Sequence, residues 1–229
     1  MSLLTDTNLK EIIVRDTENA SDENLIIEPY SKECLTPVGY DLRVGKTVSV
    51  SNKRRRQTLK KNDSISIDPG ATALITTLEN IIMPKARSIS GLIESKVTKV
   101  SKGLSHISTT VDPDWEGHLL IALHNHSNEK ISLEYAEQFC TIIFIKNSSP
   151  SEKPCEKRPG RVDVFLDEFD EEAEKITKRK TVLEFLPPIL MIIIAIVGYL
   201  IFENSIGFSA MVVLGVAITQ YISTKFVIK

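Results

Sequence analysis

Thr109-Thr110-Val111-Asp112-Pro113-Asp114-Trp115-Glu116-Gly117, followed by Leu119-Leu120-Ile121-Ala122-Leu123-His124-Asn125, decides how the rest of the chain reads. Asp-Pro-Asp carries strong turn chemistry, because proline presets φ and the aspartate side chains bond their own backbone. Its flanks, Ile107 to Val111 and His118 to Leu123, are largely β-branched or apolar. The turn is therefore expected to close a hairpin and to present Asp112 and Trp115 at the strand ends. A carboxylate beside an indole can orient a polar group and cover a flat ring. The same pair also serves, in most turns, as a cap and a core plug, and both readings stand at this point.

The 229 residues, 42% hydrophobic with a formal net charge of −2, make one ordinary globular domain and a further segment. Near-neutral charge argues against a general nucleic-acid binder. Cys34, Cys140 and Cys155 lie far apart without CxxC spacing, so neither a disulfide framework nor a zinc site is signalled, and a reducing compartment is expected. Met1 to Asp6 lacks the basic and apolar regions of a signal peptide, so the main body is expected to stay in the cytosol.

The C-terminal region differs. Phe185 to Phe202 is apolar without a charge, Glu203-Asn204-Ser205 interrupts, and Ile206 to Ile222 is again uncharged. Each run approaches the roughly 18–20 residues that cross the hydrocarbon core as a helix, so residues 183–229 are expected to form a transmembrane helical hairpin. Lys175, Lys178, Arg179 and Lys180 precede the first span, and Lys225 and Lys229 follow the second. From that distribution a multi-pass membrane protein with two spans is expected, its β domain and both termini cytoplasmic. Pro187-Pro188 is read as the first turn of the span, where missing N–H groups cost little.

Along the rest of the chain, Thr5-Asp6 can cap a short helix running to Val14, with Leu9, Ile12 and Ile13 on one face. Gly39-Tyr40-Asp41-Leu42-Arg43-Val44-Gly45 alternates as a strand does. Lys53-Arg54-Arg55-Arg56 with Lys60-Lys61 is either a nucleic-acid patch or a solvated hairpin tip near the lipid face. Short β-rich runs follow at regular spacing: Ile65 to Ile67 and Asp68-Pro69-Gly70, Ala73 to Leu78, Ile81 to Met83 and Pro84, Ile89 to Ile93, Ile131 to Leu133, and Phe139 to Ile145. The pattern is that of a closed or sandwiched, mainly β domain. A charged, partly helical linker is expected over residues 147–182. His118, His124 and His126 share one strand face by parity, but no carboxylate or cysteine completes a zinc pattern, so no metal site is assigned to them.

Gly39 to Gly45, the series Asp68-Pro69-Gly70, Thr76-Thr77-Leu78-Glu79 and Pro84, the corner Val111 to Gly117, and Asn125 together resemble the dCTP deaminase and dUTPase superfamily over roughly residues 3 to 146. Leu4-Thr5-Asp6 with Leu9 is similar to the deaminase branch. The resemblance implies a distorted β-barrel head over residues 1–146 and a homotrimer with sites between subunits. It further implies a nucleoside triphosphate ligand and Mg2+ held through the ligand phosphates.

By the same resemblance, Asp112 matches the aspartate that in dUTPases orients the water attacking the α-phosphate, which suits a general base. Trp115 falls near the sugar, and the backbone of Ser108, Thr109, Thr110 and Val111 faces the pyrimidine edge. The deaminase glutamate position is Ala122, and a methyl group cannot shuttle a proton. In place of the arginine-rich phosphate segment stands Glu94-Ser95-Lys96-Val97-Thr98-Lys99-Val100-Ser101-Lys102-Gly103. There Lys96, Lys99 and Lys102 can meet a triphosphate as point charges, without arginine's fork. The glycine-rich arm of dUTPases is replaced by the charged linker and the apolar helices. Three functions stay open: a membrane-anchored enzyme of dUTP or dCTP metabolism, a catalytically inactive nucleotide sensor that signals through its membrane helices, and a structural trimer whose pocket is vestigial.

Overall fold

The computed structural model describes residues 2–14, 21–53, 56–155, 161–202 and 206–222. Arg54 and Arg55 of the basic cluster, the Glu203-Asn204-Ser205 interruption, and Lys225 and Lys229 lie outside them. The chain divides into two units, Met1–Glu172 and Ala173–Lys229.

In the first unit the central element is the long strand Gly39–Val50. Its first half, through Arg43, pairs antiparallel with Gln138–Lys146, and its second half, from Val44, pairs with Thr72–Ile82. The register breaks between Val44 and Val48. Gly45 sits in that break, and a Cβ there would lie 2.5 Å from the carbonyl oxygens of both Thr76 and Thr77. Only glycine lets one strand pass this closely from one layer to the other. The strand order then runs Leu104–His106, Glu116–Asn125, Thr72–Ile82, Gly39–Val50, Gln138–Lys146, Ile89–Ser95, Thr110–Val111, with Ser64–Ile67 and Ile131–Glu134 paired separately. Between the layers lies a core that includes Tyr40, Leu42, Ile75, Phe139 and Phe144, all fully buried or nearly so. At about 1.5–3 kcal/mol per large apolar side chain, this core is the main stabilising term of the unit.

Mainly β is thus the observed class, but the sheet is not a closed barrel among the described residues. Its two end strands, Leu104–His106 and Thr110–Val111, are neighbours in the chain. Residues 107–109 carry the backbone across the opening, with Ile107 N donating to Ala122 O at 3.4 Å on one side and Ile93 N to Thr109 O at 3.0 Å on the other. The closure is covalent where a barrel would have a ladder.

The expected hairpin at Asp112 is not formed. Thr110–Val111 pairs with Ile89–Ser95, whereas Glu116–Asn125 pairs with Thr72–Ile82 and Leu104–His106. The Asp-Pro-Asp turn therefore crosses between layers. It is a turn with Trp115 N donating to Asp112 O at 3.2 Å and with Asp114 at φ +61°, the geometry of proline at the second and a left-handed residue at the third position. Asp68-Pro69-Gly70 repeats the device with Gly70 at φ +70°.

A short helix, Asp6–Ile12, is capped by Asn8, whose Oδ1 accepts from Thr5 N at 3.2 Å, and it buries Leu9 completely. Helix Arg161–Phe202 runs 42 residues, with Pro187 and Pro188 in its interior and not at the start of a span. Helix Ile206–Ile222 adds 17 residues. Within the second unit the two helices meet at glycines: a Cβ on Gly198 would lie 3.3 Å from Met211, and one on Gly215 3.0 Å from Ile194. One helix, over Val162–Ile201, is long and apolar enough to cross a membrane by length and composition, while the apolar part of the second, Ile206–Tyr221, is shorter.

Candidate functional site

A cavity of about 280 Å³ opens at the layer crossing, lined by Thr109, Thr110, Val111, Asp112, Trp115 and Leu119 to Ile121. Five of the residues singled out from the sequence are therefore brought together: Thr109, Thr110, Val111, Asp112 and Trp115. Ser108 is adjacent in the chain but turns away, its hydroxyl donating to Ile93 O at 2.9 Å. Trp115 packs against the core and lines the cavity at once, with its indole N–H donated to Gly117 O at 3.1 Å. Asp112 is exposed and is the one carboxylate on the cavity wall among the described residues.

The corner is held from outside by groups that the sequence did not single out. Arg87 Nε pairs with Asp114 at 3.1 Å, and its Nη1 donates to Glu152 O at 2.8 Å and Ser151 O at 3.3 Å. Cys155 N donates to Asp114 Oδ1 at 2.8 Å, and Cys155 Sγ approaches Asp112 Oδ2 at 3.8 Å. The turn chemistry explains Asp114 as a backbone requirement, but nothing local announces its long-range partners. From behind, fully buried Glu79 accepts from Arg43 N at 2.9 Å and Arg43 Nε at 2.6 Å. Burial pushes the Glu79 carboxyl above its ordinary value, and the donors from Arg43 pull it back only in part. The Glu79 carbonyl meets His118 Nδ1 at 3.1 Å, which ties the outgoing strand of the corner to this pair.

The lysines are not poised as free cations. Lys96 Nζ donates to buried Asp41, which also accepts from Thr141 Oγ1 at 2.6 Å, and Lys99 Nζ donates to Glu137. Only Lys102 of the three is fully exposed. Sequence spacing shows where a cation sits along the chain, whereas its carboxylate partner arrives from another strand. In the same segment Ser95 Oγ lies 2.5 Å from His106 Nδ1, and His106 Nε2 lies 2.9 Å from Ile93 O. A carbonyl only accepts, so Nε2 carries a proton there, and in the neutral ring Nδ1 accepts from the serine. Among the other histidines, His124 meets Thr72 Oγ1 at 3.0 Å and His126 meets Ser105 Oγ at 2.8 Å. No three His, Cys, Asp or Glu side chains converge on a metal position among the described residues. Ala122, half-buried, pairs with Leu74 across the ladder.

Two further residues line the cavity, Val162 and Phe165 from the opening of helix Arg161–Phe202. They belong to the same structural unit as the sheet. The linker expectation hid them, although Asp163, Asp167 and Asp170 at helical spacing beside apolar neighbours were a visible amphipathic signal.

The sequence profile of the dCTP deaminase-like family matches residues 12–147. Among similar proteins, the dCTP deaminase of Thermococcus kodakarensis is 38% identical over 132 residues, covering 58% of this chain and 83% of that relative. A probable deoxyuridine 5'-triphosphate nucleotidohydrolase of Sulfolobus islandicus rod-shaped virus 1 is 29% identical over 154 residues, covering 66% of this chain and 89% of that relative. Among solved structures, the 2'-deoxycytidine 5'-triphosphate deaminase of Agrobacterium tumefaciens shares the fold at a TM-score of 0.51 and 12% identity, covering 63% of this chain and 48% of that one. With its strands in this order and more than half its length within the family profile, the chain belongs to the dCTP deaminase-like family.

Proposed function

We propose that the β unit binds a pyrimidine deoxynucleoside triphosphate in the cavity beside Asp112, at the seam of a homotrimer, and hydrolyses it without deaminating it. The observation that carries this reading is the wall itself: its one carboxylate among the described residues is Asp112, and Ala122 stands where a deaminase needs a glutamate. Asp112 would orient water and take its proton as the water attacks the α-phosphorus, releasing a nucleoside monophosphate and pyrophosphate. Backbone of Thr109 to Val111 would meet the base edge and Trp115 the sugar. With deaminases and a nucleotidohydrolase both among the relatives, either chemistry has precedent, and the Asp112 and Ala122 positions favour hydrolysis. The chain offers no cage for Mg2+ among the described residues, so an ion would fit here in one form, carried on the phosphates and neutralising part of their charge. Lys102, which is exposed, would add charge in this reading, while Lys96 and Lys99 would first have to leave Asp41 and Glu137.

A trimer is supported by apolar side chains that one chain leaves exposed on the β unit: Val97 at 82%, Val100 at 48% and Ile107 at 74%. Membrane anchoring through the helices is supported by the apolar run and by the side chains that it exposes, Leu186 to Leu200 among them. Basic residues before the run place the β unit on the cytoplasmic side in this reading. A second reading, in which the head senses the nucleotide without turning it over, is favoured by Val162 and Phe165, which put the opening of helix Arg161–Phe202 on the cavity wall.

The test is product analysis on the full chain in detergent, with dUTP or dCTP and magnesium. Hydrolysis predicts dUMP and pyrophosphate from dUTP, and Asp112→Asn should lose turnover while keeping ligand binding. Conversion of dCTP to a uracil nucleotide would overturn the assignment, and binding without any product would favour the sensor.

A further inference from the structure

The helix that lines the cavity is docked by two distinct kinds of contact. Arg56 reaches three carboxylates on one helical face, Asp163 at 3.7 Å, Asp167 at 2.5 Å and Asp170 at 3.1 Å, and Ser49 Oγ donates to Asp170 as well. Between them Leu166 is fully buried, while Val162 and Phe165 face the cavity beside Asp112 and Trp115. The docked segment is strongly acidic, with Asp163, Asp167, Glu168, Asp170, Glu171 and Glu172 within residues 161–172.

We propose that a nucleotide and the docked opening of this helix compete for the cavity, so that ligand binding releases residues 161–172 from the sheet. The inference rests on the nucleotide reading above and adds a direction to it. Space argues for competition: about 280 Å³ is below the roughly 300–1,000 Å³ of sites that enclose a small molecule, and Val162 and Phe165 are the wall that can retreat. Charge argues the same way. A triphosphate is polyanionic, Lys96 and Lys99 are already paired, and the segment that lines the cavity through Val162 and Phe165 carries six carboxylates of its own. Arg56, which holds the helix, belongs to the hairpin between Gly39–Val50 and Gln57–Thr58 and is no part of the cavity wall. The helix that carries Val162 and Phe165 extends to Phe202, and release of its opening, residues 161–172, is the output of cavity occupancy. Linkage requires the reverse effect too, so whatever undocks the helix must tighten the ligand.

The test uses the full chain in detergent, with magnesium and the non-hydrolysable α,β-imido analogue of dUTP as probe. Hydrogen exchange of residues 161–172 should rise at saturating probe. Arg56→Gln should tighten probe binding about three- to tenfold, since ion pairs of this exposure each move an equilibrium by a factor of about two to five. Asp163→Asn with Asp167→Asn should do the same. The arginine variant is the decisive arm, because loss of a positive charge near an anionic ligand would, by simple Coulomb attraction, weaken binding. Protection of residues 161–172 by bound probe, or unchanged exchange there, would overturn the competition, as would weaker binding to Arg56→Gln. Trp115 fluorescence reports whether each variant is folded. Absence of binding to wild type and both variants would refute the nucleotide reading itself, and the competition with it.

Discussion

Arg43→Ala offers the most quantitative test of how the site is held. In the folded chain Glu79 is fully buried and its two oxygens accept from Arg43 N and Nε, while Arg43 Nη2 donates to Pro29 O at 2.7 Å. Truncation leaves a carboxylate in the core without its cation, and the cheapest response is to take up a proton. Starting from an ordinary value of about 4.5, holding that proton in the fold costs about 3.4 kcal/mol at pH 7 and about 0.8 kcal/mol at pH 5. The lost bond to Pro29 adds about 1 kcal/mol at either pH. The variant should therefore be less stable than wild type by at most about 4.4 kcal/mol at pH 7 and about 1.8 kcal/mol at pH 5, because the raised Glu79 of wild type already carries part of the same cost. The sign follows from the raised carboxyl: its stabilising protonated form is fully present below the unfolded value and is lost as pH rises through the folded one. Urea unfolding of the full chain in detergent, followed by the fluorescence of Trp115, the one tryptophan in the chain, measures both differences. A deficit of the same size at pH 5 and pH 7 would refute the account, because it would mean that Glu79 stays ionised or finds another donor.

Asn125 is fully buried with both ends satisfied: Nδ2 donates to Ile67 O at 2.9 Å and Glu129 O at 2.7 Å, and Oδ1 accepts from Ser127 N at 3.0 Å and Oγ at 2.7 Å. Asn125→Ala should cost about 2–4 kcal/mol in the same unfolding assay, through the carbonyl and N–H groups it leaves without partners. Ala122→Glu should introduce measurable release of ammonia from dCTP if cytosine occupies the pose that the family resemblance implies; binding of dCTP with no deamination would count against that pose.

What could be read from residues alone divides along a physical line. Features set by short-range rules were legible. The Asp-Pro-Asp and Asp-Pro-Gly turns form with the dihedrals that proline and a left-handed third residue dictate, Leu9 lands in the core from a capped helix, and the alternation in Gly39 to Gly45 is a strand. Which strands pair across layers was not legible, because the alternation in Glu116–Asn125 marks the face that is buried and not the strand that lies beside it. The Asp112 corner was accordingly taken for a hairpin when it is a crossing. Charge pairs at long separation were equally hidden: Lys96 with Asp41, Lys99 with Glu137, and Arg56 with Asp163, Asp167 and Asp170 each join residues tens of positions apart. Ser95 and His106 lie only eleven residues apart, yet their hydrogen bond depends on a turn through helix Val97–Val100 that no pattern specified.

Those pairings bear on how the site would work. A pocket with unpaired cations captures an anion by attraction alone, whereas here Lys96, Lys99, Arg87 and Arg56, none of them on the cavity wall, are already matched by carboxylates. Any phosphate that engages them has to exchange for a carboxylate, so much of the Coulomb gain is offset and net affinity depends on what the displaced acid does next. Asp41 cannot leave, since it is 5% exposed within the sheet and held by Thr141. Asp163 and Asp167 can, because they are 75% and 71% exposed and need only rotate into water, whereas Asp170 at 24% is held by Ser49 as well as Arg56. The mobile half of the electrostatic exchange thus lies on the helix and the fixed half on the sheet. A ligand that pays for entry by freeing carboxylates will free those on the helix first, which makes release of residues 161–172, not rearrangement of the β layers, the structural response to expect from an anionic ligand.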